Sequence, residues 1–172
     1  MTAVFERPAQ TMTIRRAALE DIGVLLELEQ LFPGDRLEKS NFKHFLTKAK
    51  ADIWLVEENG ETLGDAVVLY RQGFHSARLY SIIVSPKARG KGIGAKLLVH
   101  CETAAKERGC ITLRLEVRED NDAAINLYRS KGYDLIGHTN DYYEDGSTAL
   151  QMRKRLNKTP ANLLEEPFNN QK

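Results

Sequence analysis

The stretch KARGKGIGAKLL, Lys87 to Leu98, sets three glycines at alternate positions directly ahead of an apolar-periodic run. Each glycine costs about 0.5–1 kcal/mol of conformational entropy relative to alanine, so a cluster marks backbone that other residues would obstruct. Upstream, RLYSIIV is apolar on both faces towards its end, as a central strand should be. Downstream, Ile93, Leu97, Leu98, Cys101, Ala104 and Ala105 share one side of a helix. A strand, a glycine turn and a helix N-terminus together form an anion site. Unpaired amides point outward there, and the helix dipole adds about half a positive charge. Arg89, Lys91 and Lys96 add formal charge. The expected guest is a pyrophosphate, with the three glycines fitted tightly between strand and helix.

The rest of the chain supplies a frame for that loop. TMTIRRA is a short β-branched strand, and Ala18 to Phe32 carries the helical stripe Ile22, Leu25, Leu26 and Leu28. Pro33-Gly34-Asp35 breaks it. LEKSNFKHFLTKAK places Leu37, Phe42, Phe45 and Leu46 at helical spacing. DIWLVEENGETLGDAVVLY reads as two strands joined by a Glu58-Asn59-Gly60 hairpin turn. Gly109 is the expected C-cap of the glycine-loop helix. ITLRLEV alternates strictly, and NDAAINLYRSKG is a short helix with Asn121 as N-cap and Gly132 at its exit. YDLIGHT and STALQMRKRL are two last strands, separated by NDYYEDG. The order β-α-α-β-β-β-α-β-α-β-β predicts an α+β domain with a mixed sheet over residues 12–156. Residues 1–11 read as a flexible segment and 157–172, with Pro160, Pro167 and several Asn, as a disordered tail.

Composition narrows the function classes. With 172 residues, 42% of them apolar, the chain can bury a core without disulfides or metals. A net charge of +1 makes no electrostatic case for nucleic acid or an anionic membrane. Cys101 and Cys110 have neither a disulfide-framework nor a metal-ligand spacing, and His44, His75, His100 and His138 follow no metal pattern. No apolar leader or run of about 18 apolar residues is present, so a cytoplasmic chain is expected.

Two nucleotide-type ligands compete for the loop. Gly90 to Ala95 matches G-x-G-x-x-A, and Glu116 stands where a dinucleotide fingerprint wants its acid. That reading fails because Ser85-Pro86-Lys87-Ala88-Arg89 separates strand from fingerprint, and too little chain follows Gly94 for the further βα units required. The other reading is R-x-x-G-x-G, carried by Arg89, Gly92 and Gly94. From Thr13 to Leu156 the chain resembles the GNAT superfamily of N-acetyltransferases, on IIVSPKARGKGIGAKLL, LRLEVREDNDAAINLYRSKGY and YYEDGSTALQM. The resemblance implies a mixed, mostly antiparallel central sheet flanked by helices, with acetyl-CoA as cosubstrate and no metal. It further implies that Arg89, Gly90, Lys91, Gly92, Ile93, Gly94 and Ala95 hold the pyrophosphate. Ile82, Ile83 and Val84 would pair with the pantetheine arm through their main chain, and Asn121 would also touch the cofactor.

In ITLRLEV, Thr112, Arg114, Glu116 and Arg118 share one face, polar where a central strand would be apolar unless it lines a cleft. Taken alone, Glu116 reads as an exposed carboxylate or an ion-pair partner of Arg114 or Arg118, and Tyr128 as a packing aromatic. These segments look most like the bacterial enzymes that acetylate the N-terminal alanine of a ribosomal protein. That likeness implies Glu116 as general base and Tyr128 as general acid. The chemistry needs both: at pH 7 deprotonation costs about 1 kcal/mol for an α-amine and about 4.6 kcal/mol for a lysine, and a carboxylate can take that proton. A phenol near the sulfur can protonate the leaving thiolate, with no covalent enzyme intermediate. Two departures touch the acceptor: Ser147-Thr148 replaces an acidic pair before Ala149, and LFPGDRLEKSNF lacks the usual Trp after Pro. Tyr142, Tyr143, Glu144 and Asp145 form either a wall for a cationic amine or a solvated hairpin tip. The expected partners are acetyl-CoA and an amine, the α-amine of a protein or peptide first. A small-molecule amine, a lysine side chain or a non-catalytic acetyl-CoA-binding domain stand as alternatives.

Overall fold

The computed structural model describes residues 11–32, 34–73 and 75–156. Residues 1–10 of the expected flexible segment 1–11, the break at Pro33 and the tail at 157–172 lie outside the described residues. The chain runs β1 (Met12–Arg16), α1 (Ile22–Gln30), α2 (Lys39–Thr47), β2 (Ala51–Glu58), β3 (Glu61–Tyr70) and β4 (Ser76–Val84). It continues through α3 (Ile93–Glu107), β5 (Thr112–Arg118), α4 (Asp122–Ser130), β6 (Asp134–Thr139) and β7 (Ala149–Arg155). This is the element order expected from the sequence. The first helix is shorter than its apolar stripe suggests, because Leu19–Asp21 forms a 3₁₀ turn. The Asp21 carboxylate accepts from the Ala18 amide at 2.7 Å and from Arg15, which holds that tight entry.

Local chemistry sets the boundaries. Asn59 and Gly60 both have positive φ, the two-residue turn whose twist suits a hairpin. Asn121 accepts the Ala124 amide at 3.2 Å and caps α4. Gly109 follows the last residue of α3's cap with φ +87°, as a terminating glycine should.

All seven strands form one sheet in the order β1-β2-β3-β4-β5-β7-β6. Only β4 and β5 pair in parallel. One face packs α3 and α4: Trp54, Val56, Val68, Leu79, Leu115 and Met152 meet Ile93, Leu97, Leu98, Cys101, Ile125 and Tyr128. On the opposite face Ile53, Leu55 and Val67 meet Leu25 of α1, Phe42 of α2 and Leu37. That second core stops at β4. Beyond it, the residues of β5 that alternate with the buried Leu113, Leu115 and Val117 remain half-buried. Among the described residues, no helix is long and apolar enough to cross a membrane.

Candidate active site

The parallel pairing of β4 with β5 covers only Ser76–Leu79 against Thr112–Leu115. On its other edge β4 stays paired with β3 up to Val84. From Tyr80 to Val84, therefore, the edge of β4 that faces β5 has no strand partner, and the sheet splits. The cause is local. The β3–β4 register slips at Val67/Val68, leaving Tyr80 as an extra residue in β4. Such a bulge bends its strand and sharpens its twist, and it falls directly after the last β4–β5 pair. The split thus exposes main-chain donors and acceptors at Ile82 and Val84, whereas the Ile83 carbonyl is turned towards Gly64 of β3, a correction to the expectation that all three face the cofactor. The Ile82 and Val84 side chains pack towards the α3 core, and Ile83 is buried.

At the mouth of the split lies the glycine loop. Gly92 is the N-cap of α3 in the left-handed region, φ +70°, and Lys96 makes the first helical bond back to its carbonyl at 3.1 Å. A glycine cap brings no side chain to the amides of Ile93, Gly94 and Ala95, which leaves them to an anion. The three glycines are not fitted tightly between strand and helix, contrary to expectation. A Cβ at Gly90 or Gly92 would meet nothing within 4 Å; their positive φ is what demands glycine. Only Gly94 sits between elements, and even there a Cβ would make ordinary contacts with Leu127 and Val84 at 3.6 and 3.7 Å. Ile93 has its side chain in the core, so only its main chain faces the loop. Arg89, Lys91 and Lys96 are exposed, with Lys91 3.8 Å from Glu58.

Glu116 follows Leu115, the last β5 residue paired with β4, so it stands at the apex of the split. Its side chain is 11% exposed. Arg78 of β4 donates through Nε to one carboxylate oxygen at 3.0 Å, and Arg114 lies 3.5 Å from the other. Arg78 also donates to the Tyr142 hydroxyl at 2.8 Å and stacks over the Tyr80 ring, which itself meets Phe45 of α2 edge-on. The ion pair with Arg114 is the one the sequence suggests. Arg118 is turned elsewhere, to Asp120, Asp145 and Ser147. Asp145 answers Arg118, so the acidic part of YYED is partly neutralised, while Tyr142 accepts from Arg78 and the Tyr143 ring lies under Arg118. Arg78 itself was missed by sequence reasoning. The available signal was a lone arginine in an otherwise apolar central strand.

Tyr128 lies on the other face, in the α3–α4 core, 5% exposed and edge-on to Tyr133 at 5.7 Å. Burial first, then the nearby Tyr143 hydroxyl, pushes its phenol above the ordinary value. The half-buried Tyr143 is pushed up to about 12 by burial, by Tyr142 and by Glu116. Tyr143 therefore feels both Glu116 and Tyr128. The two residues expected to act as base and acid thus lie on opposite faces of the sheet, Glu116 at the apex of the split and Tyr128 within the α3–α4 core.

The Acetyltransferase (GNAT) family profile matches residues 19–133. The chain is 29% identical over 154 residues to an N-alpha-acetyltransferase of Sulfurisphaera tokodaii, covering 83% of this chain and 92% of that protein. It is 38% identical over 86 residues to an acetyltransferase of Pectobacterium atrosepticum, a match spanning 49% of this chain and 60% of that protein. The crystal structure of the ribosomal-protein-S18-alanine N-acetyltransferase from Escherichia coli superposes with a TM-score of 0.79 at 27% identity, covering 88% of this chain and 98% of that one.

Proposed function

Since the chain belongs to the acetyltransferase (GNAT) family, we propose that it transfers the acetyl group of acetyl-CoA directly to the N-terminal α-amine of a protein or peptide. The observation that carries this reading is the split between β4 and β5, with an unpaired strand edge on one side and Glu116 at its apex. The amides of residues 90–95 would hold the pyrophosphate, with Arg89 and Lys91 supplying charge and Asn121 close by at the start of α4. The main chain of Ile82 and Val84 would pair with the pantetheine arm as a strand would, with Ile83 between them held to β3. Bound there, acetyl-CoA supplies an activated acyl group at the split.

Glu116 takes the proton of the incoming ammonium, directly or through water. Arg78 and Arg114 each engage one of its oxygens, and each oxygen keeps a lone pair for a further donor. Tyr128, protonated through the neutral range, donates a hydrogen bond towards the leaving sulfur from the opposite face. A thiol with a pKa of about 8.5 is a stronger acid than such a phenol. Tyr128 therefore steadies the developing thiolate more than it surrenders its own proton. The α-amine is preferred because freeing it costs about 3.6 kcal/mol less than freeing a lysine at pH 7. The names of the Sulfurisphaera and Escherichia relatives support the same acceptor class.

The test is an acetyl-CoA turnover screen against peptides with free N-termini, Nα-blocked lysine peptides, polyamines and amino acids. Mass spectrometry should find the acetyl group on the α-amine. Acetyl found only on lysine Nε or on a small amine refutes the acceptor; cofactor binding without turnover of any amine refutes catalysis.

A further inference from the structure

Arg114 stands opposite Arg78 across the parallel β4–β5 pair and opposite Arg153 across the antiparallel β5–β7 pair. Like charges directly opposite in a sheet are destabilising, so this face carries a load that the fold itself does not need. Asp134 of β6 lies opposite Arg153 and supplies a counter-charge there. Arg114 and Arg78 share Glu116 between them. Through space, Arg114 is opposed by Arg78 and Arg71 and helped by Glu116 and Tyr142; burial before all of these holds its guanidinium below the ordinary value. Arg78 is boxed between Tyr80, which meets Phe45, and the hydroxyl of Tyr142.

We propose that the acceptor is a peptide whose first two residues include an acidic side chain, read by Arg114 together with Arg78 beside Glu116. The proposal rests on the α-amine reading above and names the substrate class within it. With the amine at Glu116, Arg114 lies two strand steps away on the same face, roughly 7 Å. A side chain on the first or second residue covers that distance. Arg114 has a side chain 40% exposed and presents five N–H donors, of which one nitrogen faces Glu116. A guanidinium fork fits a second carboxylate bidentately. An arriving carboxylate also relieves the like-charge repulsion among Arg71, Arg78 and Arg114. A basic acceptor would add to it.

The test uses the full chain, acetyl-CoA and peptides identical except at residues 1 and 2, which are Asp or Glu, Asn or Gln, or Lys. Aspartate, glutamine and lysine as free amino acids form a second arm. The kcat/KM for acidic peptides should exceed that for neutral ones by about tenfold and that for basic ones by more, with the gap narrowing as salt rises. Arg114→Gln should bring the ratios near one, and Arg114→Glu should invert them. The wild-type ranking decides even where a variant fails to fold. Equal or reversed ranking in the wild type, or an unchanged ranking in a folded Arg114→Gln protein, overturns the proposal. Peptides acetylated without regard to charge sink this inference and leave the α-amine reading standing. Free aspartate acetylated while every peptide is refused sinks the peptide acceptor in both, although a carboxylate is still what the arginines read.

Discussion

Asp65 and Glu116 project from the same face of one sheet into opposite surroundings. Asp65, on β3, faces the α1 side, fully buried, and neither carboxylate oxygen has a hydrogen-bond partner among the described residues. Its nearest charged influence is another buried acid, Glu29 of α1, so burial and like charge both push it well above the ordinary carboxylate range. Glu116, on β5, stands where no helix covers the face, and two guanidinium groups converge on it. The covered half of the face holds its acid without a cation. The open half surrounds its acid with cations and aromatic rings, an arrangement that favours chemistry at the expense of packing. Substitutions on each side should therefore separate rate from stability.

The largest effect belongs to the open half. Glu116→Gln keeps the shape and one of the two acceptor oxygens but cannot take a proton, so kcat should fall by about 10²–10⁴. The deficit should shrink from pH 6 to 9, because more of the acceptor amine is then already neutral. Rates at saturating acetyl-CoA across that range decide it; wild-type kcat at pH 7 would remove Glu116 from the mechanism. Stability should fall far less than the rate: Arg78 and Arg114 lose their shared counter-charge but both reach solvent, and Glu116 carries none of the apolar core.

A third acid sharpens the contrast. Asp52, on the α3 face, is as buried as Asp65, yet it accepts from Arg16, from Arg108 at 2.8 Å and from the Tyr70 hydroxyl at 2.9 Å. Asp52→Ala removes hydrogen bonds that join β1, β2, β3 and the end of α3. Both arginines reach solvent, so no charge is stranded, and the expected loss is about 2–3 kcal/mol rather than the larger figure for an orphaned buried ion. A urea midpoint shift with acetyl transfer intact in the folded protein would bear this out.

Next comes the loop. Gly92→Val forces a β-branched residue into φ +70° at the helix cap and tilts the amides of residues 93–95. Acetyl-CoA affinity measured by calorimetry should fall tenfold or more. Unchanged affinity in a folded variant would move the pyrophosphate off this helix.

These contrasts were unevenly legible in the sequence. Asn59-Gly60, Gly109 and Asn121 announce turns and caps because their reasons lie within a few residues of themselves. The polar face of ITLRLEV announced a cleft for the same reason. The Arg78–Glu116 pair did not show, since it depends on which residues of β4 and β5 face each other, and that depends on the parallel register and the bulge at Tyr80. The glycine spacing suggests a tight fit although Gly90 and Gly92 answer only to φ, because a sequence does not distinguish a glycine needed for space from one needed for its backbone angles. Asp65 in LGDAVV gave no warning at all. An acid in a strand looks like an edge or turn residue until α1 is seen to close over it.

The smallest effect is the one that tests the covered half directly. In the unfolded chain Asp65 titrates in the ordinary carboxylate range; in the native state its value is raised. Between the two, the native protein holds a proton that the unfolded chain has released. Stability is therefore full below the ordinary range and declines as pH rises towards the native value, by at most about 1.4 kcal/mol per pH unit for one proton. Asp65→Asn keeps the shape of the protonated acid and cannot ionise. The variant should match the wild type near pH 4 and exceed it at neutral pH in urea midpoints. Some slope should persist in it, because Glu29 is also raised, first by its own burial. An Asn variant less stable than wild type at every pH would mean that Asp65 is held as a charged, partnered group, and the two halves of the face would then treat their acids alike.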